Sequence, residues 1–203
     1  MPERDEFQKF STANLAIYHA AHIILHVDIV DLQIYAGASH IIGRPVTKVD
    51  QDRSRQRIER WAKRGSISSA KAGSHAARVL RDGIRKLKNW DVDDVFHYPW
   101  CLYLATLTCW AFQVASKAGI GSENCEQGDN SDDDDADWDS KAEMNALVSA
   151  MTRSNLEDLW RVAGKYRTSD LPRVMAKHLA SIRWAVVQEG MIVLRELIGK
   201  VES

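Results

Sequence analysis

The segment FHYPWCLYLATLTCWAFQVAS, from Phe96 to Ser116, contains no Asp, Glu, Lys or Arg. An uncharged run of this length can be a membrane span, a cofactor box or the spine of a soluble core. A span needs about 20 predominantly apolar residues. The length suffices, but His97, Thr106, Thr108, Gln113 and Ser116 dilute the segment, and no positive cluster lies beside it to set an orientation. As a cofactor box it lacks a metal clip, because Cys101 and Cys109 are too far apart along the chain to grip one ion as a local pair. Free cysteine is commonly a small buried hydrophobe. Pro99 fits the first turn of a helix, where its missing N–H costs nothing. From Trp100 onward, apolar side chains point in nearly every direction, which demands a helix sheathed by other helices. Residues 99–116 are therefore expected to be a buried central helix. Its core residues are expected to be Pro99, Trp100, Leu102, Tyr103, Leu104, Leu107 and Trp110, joined by Trp184 from a later helix.

The remaining chain supports an all-α fold, an irregular helical bundle of about seven helices. Ser11 and Thr12 are good cap types ahead of Leu15, Tyr18, Ala21 and Leu25, which recur at steps of three and four. A second helix is expected after a kink near Asp28, with Ala36, Gly37 and Ala38 allowing close helix approach and Gly43 and Pro45 ending it. DQDRSRQRIERWAKRG predicts a short exposed helix with Ile58 and Trp61 on its apolar edge. SSAKAGSHAARVLRDGI predicts another, capped by Ser68 or Ser69, with Ala72, Ala76, Val79 and Leu80 inward. A loop is expected around NWDVDDVF. Helix resumes at SKAEMNALVSAMTRSNLEDLW. A final long helix is expected from Asp170 and Pro172 to Ile198, with Met175, Leu179, Ile182, Val186, Val193 and Leu197 inward. The chain is expected to form one helical domain over residues 11–200, with an acidic disordered loop at 119–140.

The formal net charge is −1, so no global field steers the chain to nucleic acid or membrane. Locally the balance is uneven. Residues 44–88 hold 14 Lys and Arg against 4 Asp and Glu, and residues 123–143 hold 10 acidic residues against one Lys. The three cysteines, Cys101, Cys109 and Cys125, form no paired framework and suit a reducing compartment. The charged start MPERDEFQKF is not a secretory signal.

Three sets of residues are candidates for chemistry. His19, His22 and His26 share one helical stripe, which His40 could join from the next helix, and neutral imidazole binds Zn²⁺. The stripe lacks the Glu of a His-Glu-x-x-His motif, so the competing expectation is histidines satisfied at the edge of the core. Arg53, Arg55, Arg57, Arg60, Lys63 and Arg64 suit phosphate contacts, a nuclear import signal, a solvated helix face or an intramolecular partner for the acidic loop. SDDDDADWDS, around Trp138, suits either an acidic activation segment or a plain disordered insertion. No carboxylate pair, Ser/His/Asp set or Gly-rich phosphate loop has catalytic spacing.

HYPWCLYLATLTCWAF resembles the His-x-Pro-Trp-x-Leu-Tyr-x-Ala-x-Leu-x-x-Trp block of the fungal-specific transcription factor regulatory domain. That domain is the large helical region of fungal zinc-cluster and zinc-finger regulators. DLQIYAGA at 31–38, SHAARVL at 74–80 and SIRWAVVQEGMIVLREL at 181–197 resemble further blocks in the same order. The resemblance covers the C-terminal part of the domain. It implies a regulatory or interaction module acting in the nucleus, bound to coregulators or another protein, with a possible small-molecule effector. It implies no enzyme, no cofactor in this chain and no membrane. The family's zinc module, through which DNA would be reached, has no counterpart among the three cysteines, which points to a C-terminal fragment, a truncated paralogue or a shortened gene model. The alternative from the residues alone is a metal-dependent helical enzyme using His19, His22 and His26.

Overall fold

The computed structural model describes residues 2–41, 43–86, 97–121, 139–179, 190 and 192–197. Among these, eight helices and one short hairpin occur in the order α1 (Pro2–His26), α2 (Ile29–Ala36), β1 (His40–Ile41), β2 (Arg44–Pro45), α3 (Lys48–Trp61), α4 (Ile67–Lys86), α5 (His97–Gly121), α6 (Ser140–Arg153), α7 (Leu159–Ala163) and α8 (Asp170–Leu179). A further helical run covers 192–197. The fold is the expected all-α bundle.

The uncharged segment is its axis. α5 touches α1, α2, α4, α7 and α8, while α6 closes the bundle over α4, α7 and α8. Leu102, Tyr103, Leu104, Leu107 and Trp110 are buried in one continuous hydrophobic cluster, Pro99 is buried, and Trp100 packs half-buried at its edge. Trp184, Ile182 and Val186 lie outside the described residues. Burying each large side chain of this kind contributes about 1.5–3 kcal/mol. Of the polar residues that dilute the segment, Thr106, Thr108 and Ser116 are also buried, because their hydroxyls find partners within the helix. Thr106 donates to the Leu102 carbonyl at 2.7 Å, Thr108 to Leu104 at 2.8 Å and Ser116 to Phe112 at 2.7 Å.

Close helix approach depends on glycine. A Cβ at Gly83 of α4 would stand 2.7 Å from Leu102 Cδ2, so α4 and α5 cross where there is no side chain. α4 presents Ala72, Ala76, Val79 and Leu80 inward, all buried.

Several boundaries differ from expectation. α1 starts at Pro2, well before Ser11 and Thr12, which lie inside it. Pro suits a first helical position, and the Glu, Gln and Lys that follow are strong helix formers. The kink at Asp28 is a full break. The helix directions differ by 85°, and the Asp28 carboxylate accepts from Val30 N at 2.8 Å and Asp31 N at 3.1 Å. α2 ends at Ala36, not Gly43, because Gly37 takes φ 114° and returns its N–H to the Gln33 and Ile34 carbonyls. The chain then forms the hairpin, pairing His40 with Pro45 and Ile41 with Arg44. Ser66, rather than Ser68 or Ser69, sits before α4, its hydroxyl accepting from Ser69 N at 3.3 Å. The single helix expected after residue 140 is two, because Ser154 and the turn behind it separate α6 from α7. Of the stretch expected to be an acidic loop, residues 119–121 are the end of α5, and Asp139 caps α6. Residues 122–138, with Trp138 and Cys125, and the NWDVDDVF segment lie outside the described residues, as does most of the joint between α8 and 192–197.

Candidate functional site

Asp28 and Gly37 together turn α2 away from α1 and send the chain into the hairpin. This creates a cleft of about 670 Å³ between α2, the hairpin, the first turns of α5 and the 192–197 run. Its floor is aromatic. The Trp100 and Tyr103 rings lie 5.2 Å apart, tilted by 41°. Gly190 lies against them, where a Cβ would come within 3.1 Å of the Tyr103 ring. Burial pushes the Tyr103 phenol up to about 12, partly offset by Gln33. Ile29, Val30, Ile41 and Val193 supply apolar walls, and Gln33, Ser39, His40 and Glu196 supply polar groups at its sides. An apolar cleft with a few polar groups is the usual form of a small-molecule site. Trp100, expected as core, is therefore half core and half cleft wall.

The cleft is braced from behind by ion pairs. Asp31 of α2 is buried and accepts from Ser54 Oγ at 2.7 Å and Arg57 Nη1 at 2.9 Å on α3. Below the hairpin, Thr47 and Asp50 form a reciprocal cap at the start of α3. Arg44 and Arg53 both reach the Asp50 carboxylate, at 2.9 Å and 3.0 Å. The Arg44 guanidinium and the Thr47 hydroxyl and N–H hold Asp50 well below the usual carboxylate range. The basic run is thus partly committed inside the protein. Arg53 and Arg57 serve these carboxylates, and the Arg64 guanidinium stacks 3.9 Å over the Trp160 ring. Arg55, Arg60 and Lys63 remain exposed.

The histidine stripe is joined by His75 of α4 and not, as expected, by His40. His19 and His75 meet with their Nδ1 atoms 2.8 Å apart, one ring donating to the other. His22 stacks on His75, with ring centres 4.4 Å apart and planes within 6°. His40 sits instead on the hairpin beside Ser39. Burial, then the neighbouring His19 and His22, pushes His75 down to about 4. Burial, then Arg78, lowers His19, and burial, then Lys71, lowers His26. The His19 and His75 rings pack as neutral groups between α1 and α4. Among the described residues, no three His, Cys, Asp or Glu side chains are arranged to hold a metal ion. His75 lay unflagged in the Ala-rich SHAARVL helix, because nothing local to it announces a partner on α1. Burial also raises the Cys101 and Cys109 thiols to about 11 and about 12, so neither is a nucleophile at neutral pH.

The chain is 43% identical over 195 residues to the nicotinate catabolism cluster-specific transcription factor of Emericella nidulans, covering 96% of this chain and 20% of that protein. It resembles one stretch of fungal transcription factors. A second relative, zinc finger protein klf1 of Schizosaccharomyces pombe, is 29% identical over 188 residues, covering 91% of this chain and 22% of that protein. The chain spans about a fifth of the length of these curated relatives. No family model and no solved structure matches it. The similarity to the Emericella nidulans protein leaves only about 4% of this chain uncovered, so it takes in nearly all of the described elements.

Proposed function

We propose that this chain is a regulatory and interaction module of a fungal transcription factor, the later part of the fungal-specific regulatory domain. The observation that carries this reading is the 43% identity sustained over 96% of the chain to a fungal transcription factor. The module works in the nucleus by binding coregulators or an effector, not by catalysing a reaction. DNA is reached through a zinc module carried elsewhere in the assembly, in keeping with the zinc-finger name of the second relative. Residues 11–200, extended at the front by the start of α1, act as one helical unit.

The cleft over Trp100 and Tyr103 is where a small effector would bind. Its aromatic floor suits a flat heteroaromatic ring, and its polar sides suit hydrogen bonds to ring substituents. Because one relative is named for nicotinate catabolism, nicotinate is the first probe to use. The test joins the full chain to a heterologous DNA-binding domain upstream of a reporter and compares expression with and without nicotinate. Reporter output should change relative to the DNA-binding domain alone. Output that stays at that baseline under both conditions would sink the regulatory reading. An output that changes but is unaffected by nicotinate and by Trp100→Ala would leave the module a protein-binding one and remove the effector from the cleft.

A further inference from the structure

The outer face of α1 is apolar. Ala13, Ala16, Ala20, Ile23 and Val27 turn inward and are buried. On the solvent side, Phe7, Phe10, Asn14, Ile17, Ala21 and Ile24 recur at alternating steps of three and four, the spacing of a two-stranded coiled-coil seam. Phe7 is 76% exposed, Phe10 67% and Ile24 50%. Tyr18 and Leu25 widen the stripe, and Leu25 is 75% exposed. From residue 10 to residue 27 there is no Asp, Glu, Lys or Arg.

We infer that this stripe pairs with the same stripe on a second copy of the chain, as a parallel, in-register helix pair about a two-fold axis. Two observations select that occupant. The first is Asn14, the one polar residue in the seam, which is exposed. An amide carries both donors and acceptors, so in a parallel pair Asn14 meets its own symmetry mate and each satisfies the other. A single Asn at such a position sets register and strand number in coiled coils. The second is area. Fully open aromatic side chains present about 150–250 Å² each, so the stripe exposes on the order of 700 Å² per copy. A two-fold pairing then buries roughly 1,400 Å², within the about 1,200–2,000 Å² of stable complexes. With no charge along the seam, the two copies do not repel. A lipid surface fits less well, because the stripe carries no Lys or Arg to meet anionic headgroups. Among the described residues, no single helix is long and apolar enough to cross a membrane. This inference stands apart from the transcriptional reading and does not depend on it.

The test is sedimentation of the full chain at micromolar concentration, with circular dichroism as the check on folding. The chain should sediment as a discrete species of twice 22.9 kDa. Phe10→Glu/Ile17→Glu should remain as helical and become monomeric, with association weakened at least ~100-fold. Phe7→Cys should form a disulfide-linked dimer under mild oxidation, since a parallel pair brings the two copies of residue 7 together and an antiparallel one sets them at opposite ends of the seam. A wild-type chain that stays monomeric overturns the inference, including one that leaves solution only by binding neutral phosphatidylcholine vesicles. So does a double Glu variant that still dimerises, or a Phe7→Cys chain that is dimeric but does not cross-link.

Discussion

Helices α1 and α5 each carry a long run without charge, residues 10–26 and 97–116, and a hydropathy count treats the two alike. In the bundle they meet different fates. α5 is covered on nearly every side, with even Thr106, Thr108 and Gln113 fully buried. α1 is covered only on its Ala-rich face, leaving Phe7, Phe10 and Leu25 mostly open. The lack of charge permits burial, but neighbours supply it. α5 has five helices around it, and α1 rests on α4 and α5 alone among its strong contacts. Small residues make the difference on α1. Its alanines bring its backbone close to the bundle, and its large side chains are left to face outward.

The sharpest way to break this contrast is truncation of one large side chain on each helix. Leu107→Ala should cost about 2–5 kcal/mol, because the surrounding helices cannot collapse into the gap. Leu25→Ala should change the stability of the dilute protomer by less than about 0.5 kcal/mol. Urea unfolding at low protein concentration measures both. Equal losses would mean the two helices are not differently buried.

A smaller effect tests the joint between α1 and α4. His75 has its ordinary value of 6.5 when unfolded and about 4 when folded, where burial and the charges of His19, His22, Arg78 and His26 oppose its proton. The unfolded chain takes up this proton at a pH where the folded protein resists it. Stability is therefore whole above pH 6.5 and declines as the pH falls toward 4. The decline from this group is roughly 1–2 kcal/mol, after allowing for screening at a half-exposed site. Urea midpoints at neutral and mildly acid pH should diverge for the wild type and converge for His75→Asn. An unchanged slope in the variant would place the pH dependence elsewhere.

The smallest effect is a gain within α5. Gln113 is fully buried, and among the described residues its amide finds no hydrogen-bond partner. Gln113→Met should stabilise the fold by about 1 kcal/mol, since a similar volume replaces an unpaired polar group. A loss of stability in the same urea assay would show that the amide has a partner.

The fold was legible wherever the signal is local. The inward set Ala72, Ala76, Val79 and Leu80 on α4 repeats at helical spacing, and all four are buried. The membership of α5 followed from the absence of any polar face. Boundaries were less legible. Gly37 read as a small packing residue, while its positive φ makes it the stop of α2. Ser66 lost to the equally suitable Ser68 and Ser69 because three serines in four positions compete for one cap. Of the site, Trp100 and Tyr103 were flagged only for packing. The cleft over them needs the 85° turn at Asp28, which no periodicity encodes. The true partner of His19 is 56 residues away on another helix, beyond the reach of any helical spacing rule.

The sequence by itself determined that this chain is helical and that residues 99–116 are its axis, because apolar periodicity and the loss of every charged side chain are written into neighbouring positions. Only the tertiary structure decided that α1 keeps an apolar face in the open, that His75 rather than His40 completes the histidine cluster, and that α2 and α5 enclose a cleft. Those outcomes depend on the angle at which helices cross and on which side chains then meet. Both are set by packing among distant segments.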